Sequence, residues 1–415
     1  MDQNDKSPVE LIVESSDFGQ FARTCEAVRL TSSKLAKIRL VSDYFTLLKL
    51  DEDLRIASTF LSGKIFAPGA EEREINVGYS LIWKTVSQFH QLTDKQLSDF
   101  YLKHGDLGSA VQDYMTSVTL DRKSEGSSVL FESDDLTLQS VYTAFRELAK
   151  ASGKGSTERR QRIMQRLFSS IEDPLEAKYL IRIIGGEMRI GLVEGLVEES
   201  IAKAFSKTQT QVRSTNLVLG DIGAVALLAK HDKLEEARIE LFCPTNFMLA
   251  EPAENAEDLF KKFSEMPVIS EYKYDGIRAQ IHSRGGKVKI FSRNLEDVTR
   301  FFPEINDAVA TINKQVMLDG EIVPFRDGRP LSFQALQQRL RKLERTDADV
   351  PVKFFAFDLL YLEKPTIQEK LSTRVEMLRS LEPHDALAFS KQRWVSTPRE
   401  ISAMFEESKS LGYEG

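Results

Sequence analysis

A lysine in an unusual setting lies in the segment 271–278, which reads EYKYDGIR. The alternation of apolar and polar residues over 267–281 predicts a strand on which Glu271 and Lys273 share one face. The Asp-Gly pair at 275–276 predicts a turn directly after Lys273. The end of a half-buried strand is an unusual place for a solvated lysine, so Lys273 is a candidate nucleophile. A surface hairpin with a Lys–Glu pair would give the same local pattern.

Four further segments place polar or aromatic side chains at the ends or on the faces of predicted strands. They are FSRN (291–294), LDGEIV (318–323), FAFDLLY (355–361) and LGYEG (411–415). The candidate side chains in them are those of Arg293, Glu321, Phe357 and Glu414. Each alone would also fit a structural role, as a solvated strand end, a surface carboxylate, a core ring or a terminal charge. Their order and number make chance agreement improbable.

Taken together, these segments resemble the covalent nucleotidyltransferase superfamily, and within it the ATP-dependent DNA ligases of the archaeal and eukaryotic type. KYDGIR (273–278) is similar to the nucleophile motif of that family, and the next three segments are similar to its following motifs. Three more stretches, FQALQQR (333–339), TSSKL (31–35) and EMRIG (187–191), also resemble these ligases. The resemblance implies ATP and Mg²⁺ as cofactors and nicked duplex DNA as the partner.

The chemistry of such an enzyme needs these residue types. A lysine amine attacks the α-phosphorus of ATP, expels pyrophosphate and holds AMP as a phosphoramidate, and Lys273 would take this role. Arg278 and Arg293 can offset the charge of the phosphates. Glu271 can accept the adenine amino proton or orient the base, and Phe357 can stack on it.

Two carboxylates complete the predicted site. Glu321 is a hard oxygen ligand suited to a ribose hydroxyl or to Mg²⁺. The resemblance assigns Glu321 to nucleotide and metal binding and Glu414 to metal binding.

A basic stretch in the first half of the chain predicts contacts with DNA. The Gly-rich loop 152–156 contains Lys154 and leads into a helix that carries Arg159, Arg160 and Arg162. Backbone N–H groups at a helix start and arginines bind phosphate without reading base sequence. A solvated helix face would show the same residues.

The elements that would position these residues differ between the two halves of the chain. From about residue 10 to 235, apolar residues recur at intervals of three and four, which predicts helices throughout, two of them over 51–61 and 174–184. We therefore expect an all-α DNA-binding domain over 1–235 and a linker over 236–260.

The second half is expected to be an α+β adenylation domain over 261–415. Its apolar period changes to two, which predicts strands over 287–293, 316–325 and 352–362 with helices between them. The sequence RGGK at 284–287 predicts a tight turn. These features favour antiparallel sheets.

Composition narrows the possible classes of protein. The 415 residues carry 41% hydrophobic and 29% charged residues, a net charge of −7 and two cysteines. These values exclude general disorder, a disulfide framework and a four-cysteine zinc site. No apolar run reaches the length of a membrane span, and no signal segment is recognised at the N-terminus. We expect an intracellular monomer without a membrane partner, cytoplasmic (nucleoid) in a prokaryote and nuclear in a eukaryote.

The end of the sequence bears on activity. The resemblance implies a further catalytic lysine and an oligonucleotide-binding-fold (OB-fold) domain after Gly415, neither of which the sequence contains. We therefore expect an adenylation domain truncated at its C-terminal end, with the OB-fold domain absent and uncertain ligation activity.

Four functions fit these observations unequally. The first is an ATP-dependent DNA ligase that seals nicks in replication, repair and recombination, with a sliding clamp or repair proteins as unidentified further partners. An RNA ligase or capping nucleotidyltransferase is disfavoured because the helical half resembles DNA ligases. A catalytically impaired DNA-binding fragment would fit the expected truncation. NAD⁺ as nucleotide donor is disfavoured because the cysteines of that family's zinc site are missing.

Overall fold

The computed structural model describes residues 16–68, 70, 75, 77–90, 93–124, 136–248, 250–263, 267–341 and 350–415. The chain divides into two compact units. The first unit consists of two stretches of the chain: the residues up to Asn216, and Asp221–Ala237. The second unit consists of Leu217–Gly220 and Arg238–Gly415.

The described elements of the first unit are helices, apart from an isolated β-bridge between Asp17 and Thr137, which confirms the predicted all-α fold. Its helices are α1 (Phe18–Leu30), α2 (Lys34–Leu47), α3 (Asp51–Leu61), α4 (Tyr79–His90), α5 (Asp94–His104), α6 (Leu107–Ser124), α7 (Leu138–Lys150), α8 (Ser156–Ser169), α9 (Pro174–Ile184), α10 (Glu194–Ala204), α11 (Gln209–Leu219) and α12 (Ile222–Lys230). The helices predicted over 51–61 and 174–184 have these bounds. Helix α9 begins sharply because Asp173 accepts a hydrogen bond from the Leu175 N–H and Pro174 occupies the first helical position.

An aromatic core holds the first unit together. Phe18, Phe21, Phe45, Phe60 and Phe145 are fully buried. The ring of Phe60 meets that of Phe21 at 6.1 Å and that of Phe145 at 5.8 Å, both edge to face. Such pairs add about 0.5–1.5 kcal/mol each to the area they bury.

The second unit has an α+β fold, as predicted. Its strands are β1 (Val268–Glu271), β2 (Ile277–Arg284), β3 (Lys287–Ser292), β4 (Val316–Arg326), β5 (Arg329–Pro330), β6 (Val352–Leu362), β7 (Lys364–Pro365), β8 (Leu387–Phe389) and β9 (Gln392–Val395). Its helices are α13 (Ala256–Lys262), α14 (Pro303–Ala310), α15 (Phe333–Arg341), α16 (Leu371–Arg379) and α17 (Pro398–Ser410).

The larger sheet runs in the order β3-β2-β4-β6-β7, with β5 paired to β4 and β8 paired to β6. Its described pairs are antiparallel except β6 with β8, which is parallel. A second sheet contains β1 and β9. The predicted tight turn joins β2 to β3, where Gly285 and Gly286 take φ values of 58° and 79° that suit a type I′ hairpin. Leu318, Ile322 and Phe354 belong to the core on one face of the larger sheet.

The strand predicted over 267–281 is instead two strands in two different sheets. β1 ends at Glu271, and β2 begins at Ile277. Gly276 explains part of the break, because a Cβ atom there would lie 2.2 Å from the Ile322 carbonyl oxygen. Only glycine permits so close an approach of the start of β2 to β4.

Much of the range predicted as a linker is structured. Helix α13 begins within it, and residues 242–248 pack along β2. There the Gln280 side chain accepts from the Thr245 N–H and donates to the Thr245 carbonyl oxygen. A polar residue buried on a strand face needs such partners, so this stretch belongs to the second unit.

Among the residues that the structure describes, every helix is too short or too polar to cross a membrane.

Candidate active site

Lys273 lies in the connection between β1 and β2, two residues beyond the end of β1 at Glu271, and not at a strand end as predicted. Its side chain is 69% exposed, whereas Tyr272 and Tyr274 on either side are 6% and 8% exposed. The Tyr272 and Tyr274 side chains therefore point into the protein, and the Lys273 amine between them points to solvent.

The two tyrosines fix this connection to the rest of the second unit. The Tyr272 hydroxyl donates to the Glu407 carboxylate at 2.7 Å. The Tyr274 ring stacks on Phe355 with centroids 4.5 Å apart, and its hydroxyl accepts from the Lys391 N–H at 3.0 Å. Buried rings with satisfied hydroxyls hold a backbone firmly, so the position of Lys273 is well determined.

Glu414 lies directly beside the candidate nucleophile. The Lys273 ammonium group donates to the Glu414 carboxylate. Backbone bonds hold the two segments together: the Lys273 N–H donates to the Gly415 carbonyl oxygen at 2.6 Å, and the Glu414 N–H donates to the Lys273 carbonyl oxygen at 3.1 Å. The predicted lysine and the predicted acidic residue are thus adjacent.

Arg278, predicted to offset the charge of the phosphates, forms an ion pair with Asp319 in this structure. Its guanidinium donates to both oxygens of Asp319, at 3.2 and 2.8 Å, and to the Met248 carbonyl oxygen at 3.3 Å. It also lies over the rings of Phe247 at 4.5 Å and Phe357 at 5.3 Å. Asp319 is buried, and a buried carboxylate requires a cationic partner. The fork geometry of arginine satisfies that need with two bonds.

Glu321 is a strongly perturbed carboxylate at this face of the sheet. Burial raises the pKa of Glu321 to about 7. The negative charges of Asp319, Asp275 and Glu414 act in the same direction, while Arg278 opposes them. A carboxylate among like charges favours either a proton or a cation.

Three strands bring these groups into one row. Arg278 on β2 lies opposite Glu321 on β4, which lies opposite Phe355 on β6. Gly320 permits this packing, because a Cβ atom there would lie 2.5 Å from both the Phe354 ring and the Phe355 carbonyl oxygen.

Phe357 is the extra residue of a β-bulge. Gly320 pairs with Ala356 and Asp319 with Asp358, so Phe357 has no partner on β4. Bulges change the direction of a side chain relative to the sheet. Phe357 is half-buried, with part of its ring exposed to solvent.

Glu271 at the end of β1 is joined to Phe357 through a glutamine. The Gln392 amide donates to the Glu271 carboxylate at 2.9 Å and to the Phe357 carbonyl oxygen at 3.1 Å. Loss of surrounding water raises the pKa of Glu271 although part of the side chain stays exposed, and the Gln392 hydrogen bond opposes that rise.

The predicted residues therefore form one connected group with one exception. Glu271, Phe357, Arg278 and Glu321 are linked through Gln392, a ring contact and strand pairing. Lys273 and Glu414 form a pair, and the charge of Glu414 raises the pKa of Glu321. Arg293 is exposed one residue beyond the end of β3, and among the residues that the structure describes no hydrogen bond or ion pair joins it to the others.

Sequence reasoning missed the residues that support this group. Tyr272, Tyr274, Phe247 and Gln392 were not predicted as parts of the site. The Tyr-Lys-Tyr alternation carried a usable signal, because two aromatic residues flanking a polar one predict an outward-facing side chain on an anchored backbone. Phe247 and Gln392 are distant from Lys273 in sequence, and no local pattern marks them.

Only some of the basic side chains predicted to bind DNA are exposed in the first unit. Lys154, Arg159 and Arg162 are exposed, and the Arg162 Nε donates within its own helix to the Glu158 carbonyl oxygen at 3.4 Å. Arg160 is half-buried and donates to the Ala151 carbonyl oxygen at the end of α7. Its guanidinium thus satisfies a helix terminus, a structural role that the sequence did not reveal.

Within the described part of the chain, no group of three or more His, Cys, Asp or Glu side chains is placed to hold a metal ion.

Comparison with known proteins identifies the family. Residues 17–202 match the family model described as DNA ligase N terminus, and residues 247–415 match that described as ATP dependent DNA ligase domain. The chain is 38% identical over 422 residues to a probable DNA ligase of Koribacter versatilis, covering 95% of this chain and 70% of that protein. It is 35% identical over 406 residues to a DNA ligase of Methanothrix thermoacetophila, covering 96% of this chain and 71% of that protein. The chain belongs to the ATP-dependent DNA ligase family.

A solved structure of the ligase domain of LigD from M. tuberculosis is 26% identical, with a TM-score of 0.29. The match covers 35% of this chain and 46% of that one. The family assignment rests on the sequence matches and not on this similarity.

Proposed function

We propose that this chain transfers AMP from ATP to nicked duplex DNA through a covalent adduct on Lys273. In the first step the neutral Lys273 amine attacks the α-phosphorus of ATP. A phosphorus–nitrogen bond forms, the bond to pyrophosphate breaks, and the amine loses a proton. That proton passes to water, to which the Lys273 side chain is exposed.

The next two steps would seal the nick. An oxygen of the DNA 5′-phosphate attacks the phosphorus of the lysyl adduct, the phosphorus–nitrogen bond breaks, and Lys273 regains its proton. The 3′-hydroxyl then attacks the activated 5′-phosphate and loses its proton to water, a phosphodiester bond forms, and the phosphorus–oxygen bond to AMP breaks, so that AMP leaves. We propose that this activity serves replication, repair and recombination.

The surroundings of Lys273 supply plausible nucleotide contacts. Phe357 presents part of a ring at the surface, which suits stacking on adenine. Glu271 presents an acceptor for the adenine amino group. Arg278 would hold Asp319 and the rings of Phe247 and Phe357 in place beside the nucleotide. Arg293 is exposed and would contact the phosphates.

Glu321 and Glu414 would hold Mg²⁺. The accumulation of negative charge that raises the pKa of Glu321 is what a cation would relieve. Two carboxylates suffice, because Mg²⁺ commonly keeps water and substrate phosphates as its other ligands. The ion would supply charge compensation for the phosphates during transfer.

The observation that carries the proposal is the placement of Lys273: an exposed amine on a connection whose neighbours are locked into the core. Incubation of the chain with ATP labelled at the α-phosphate tests it. The parent protein should acquire label, and both Lys273→Ala and Lys273→Arg should lose it. Lys364→Ala, which removes an exposed lysine on β7, is the matched control and should label normally. Label retained in the Lys273 variants, or absent from the parent, would refute the proposal.

We further propose that the first unit grips the DNA backbone through Lys154, Arg159 and Arg162. Binding of the full chain to nicked duplex should weaken as salt rises, and Arg159→Ala with Arg162→Ala should reduce the slope of log K against log salt by about 2. The control with Arg326→Ala and Arg329→Ala removes the same charge from the hairpin joining β4 to β5. If both double variants reduced the slope of log K against log salt equally, net charge and not helix α8 would govern DNA binding.

Arg160 separates structural from binding effects. Because Arg160 donates to the end of α7, Arg160→Ala should lower the melting temperature and leave the salt slope nearly unchanged.

A further inference from the structure

Gln392 connects two parts of the candidate site that come from different sheets. It lies on β9 directly opposite Glu271 on β1. Its amide donates to the Glu271 Oε2 atom at 2.9 Å and to the carbonyl oxygen of Phe357, in β6, at 3.1 Å. One amide group therefore holds both the carboxylate and the backbone of the bulge.

The chemistry of these partners defines the orientation of Gln392. A carboxylate and a carbonyl oxygen can only accept hydrogen bonds, so the NH₂ end of the amide must face both of them. With both amide hydrogens engaged and Oε2 occupied, the other carboxylate oxygen of Glu271, Oε1, is left as the acceptor for a ligand. The same contact fixes the backbone that carries the Phe357 ring.

We propose that Gln392 is a positioning residue that orients Glu271 to accept a hydrogen bond from the amino group of a purine, and so selects adenine over 6-oxopurines. This inference rests on the nucleotide site proposed above. Gln392 touches the carboxylate and the bulge, not the reacting atoms.

Selectivity follows from the donors and acceptors at position 6 of the purine. Adenine offers an amino group there, which an oriented carboxylate accepts with a charge-assisted bond. Hypoxanthine and guanine offer a carbonyl oxygen, which would face the carboxylate without a hydrogen between them. A site built to pair a donor penalises a ligand that lacks it.

Loss of Gln392 would weaken this discrimination in two ways. The Glu271 side chain would be free to rotate, which lowers the fraction in the binding geometry. Removal of a hydrogen bond that lowers the pKa of Glu271 would also favour the protonated carboxyl, which can donate to a 6-oxo group. Both effects weaken ATP binding more than binding of the inosine nucleotide.

The test compares α,β-methylene analogues of ATP and ITP binding to the 415-residue chain, because their α–β bridge cannot be cleaved. The variants are Gln392→Ala and Gln392→Met; methionine keeps the length and apolar packing of glutamine but donates no hydrogen bond. Gln338→Ala, an exposed glutamine on α15, is the control. Lysine adenylation with labelled ATP is measured in parallel.

We expect the parent to prefer the ATP analogue. In Gln392→Ala and Gln392→Met its Kd should rise about tenfold, the loss expected for one hydrogen bond to a charged group, while the Kd of the ITP analogue should change less than twofold. Gln338→Ala should match the parent. At higher pH, where Glu271 is fully ionised, part of the selectivity should return to the Gln392 variants.

Several outcomes would overturn the inference. They are equal affinity of the parent for both analogues, equal weakening of both in the variants, and restoration of selectivity by methionine, which would indicate packing alone. Selective binding without any lysyl adduct would refute the proposed adenylation and leave the role of Gln392 intact. A parent that binds neither analogue would refute both.

Discussion

Removal of the ring of Tyr274 tests whether anchoring of the connection between β1 and β2 determines the reactivity of Lys273. Tyr274→Ala removes a ring that is 8% exposed and stacked on Phe355 at 4.5 Å. Tyr274→Phe keeps that stack and removes only the hydroxyl that accepts from the Lys391 N–H. The two variants therefore separate the packing of the ring from its hydrogen bond.

The expected magnitudes follow from these contacts. Loss of a buried aromatic side chain costs about 3–5 kcal/mol of stability, whereas loss of one hydrogen bond costs about 1 kcal/mol. The effect on Lys273 is separate from stability. Once the ring is gone, the amine is no longer held at one position, and displacement of a reacting group by about 1 Å can cost about 100-fold in rate.

The assay measures the rate of lysine adenylation per folded molecule together with urea unfolding. Tyr274→Ala should adenylate about 100-fold more slowly, and Tyr274→Phe should remain within about threefold of the parent. Phe302→Ala is the control, since it opens a cavity of similar cost in the core on the other face of the sheet. Its rate per folded molecule should equal that of the parent. A normal rate in Tyr274→Ala would refute the argument that the tyrosines position the nucleophile.

Two further predictions concern the nucleotide face. Phe357→Ala should weaken ATP binding by about 1–3 kcal/mol through lost stacking, with Phe357→Tyr closer to the parent; normal ATP binding in both would assign Phe357 to packing. For Glu321, whose pKa is raised from 4.5 to about 7, the folded state holds the extra proton, so its contribution to stability is complete below about pH 4.5 and is lost as pH rises through 7. In urea unfolding, Glu321→Gln should therefore gain stability relative to the parent between pH 4.5 and 7, by up to about 3 kcal/mol, whereas the exposed control Glu376→Gln should show no such trend.

The class of each element was predictable because it depends on local periodicity. Helices α3 and α9 and strand β6 have the predicted bounds, since apolar spacing, caps and Pro174 act within a few residues. The hairpin between β2 and β3 follows from two adjacent glycines for the same reason. The division into a helical and an α+β part follows from the same change of period.

The break between β1 and β2 was not predictable in this way. Alternation continues through 267–281, and the sequence does not show that two segments of one pattern belong to different sheets. The cause is a long-range contact, the approach of Gly276 to the Ile322 carbonyl oxygen. The alternation of apolar and polar residues shows on which face of a sheet a residue lies, but it does not show which strand pairs with it.

The role of Arg278 cannot be predicted without knowing which side chains it contacts. A guanidinium near candidate phosphate ligands suggests phosphate binding, but Asp319 lies 41 positions along the chain and is buried beside it. A buried carboxylate left unpaired costs free energy, and the half-buried Arg278 guanidinium supplies the charge that Asp319 needs. Arg278 therefore contacts Asp319 and the rings of Phe247 and Phe357, whereas Arg293 is exposed one residue beyond the end of β3. We expect a charged substrate to bind mainly to arginine and lysine side chains that have no carboxylate partner in the protein. The structure shows which side chains these are, whereas a sequence motif does not.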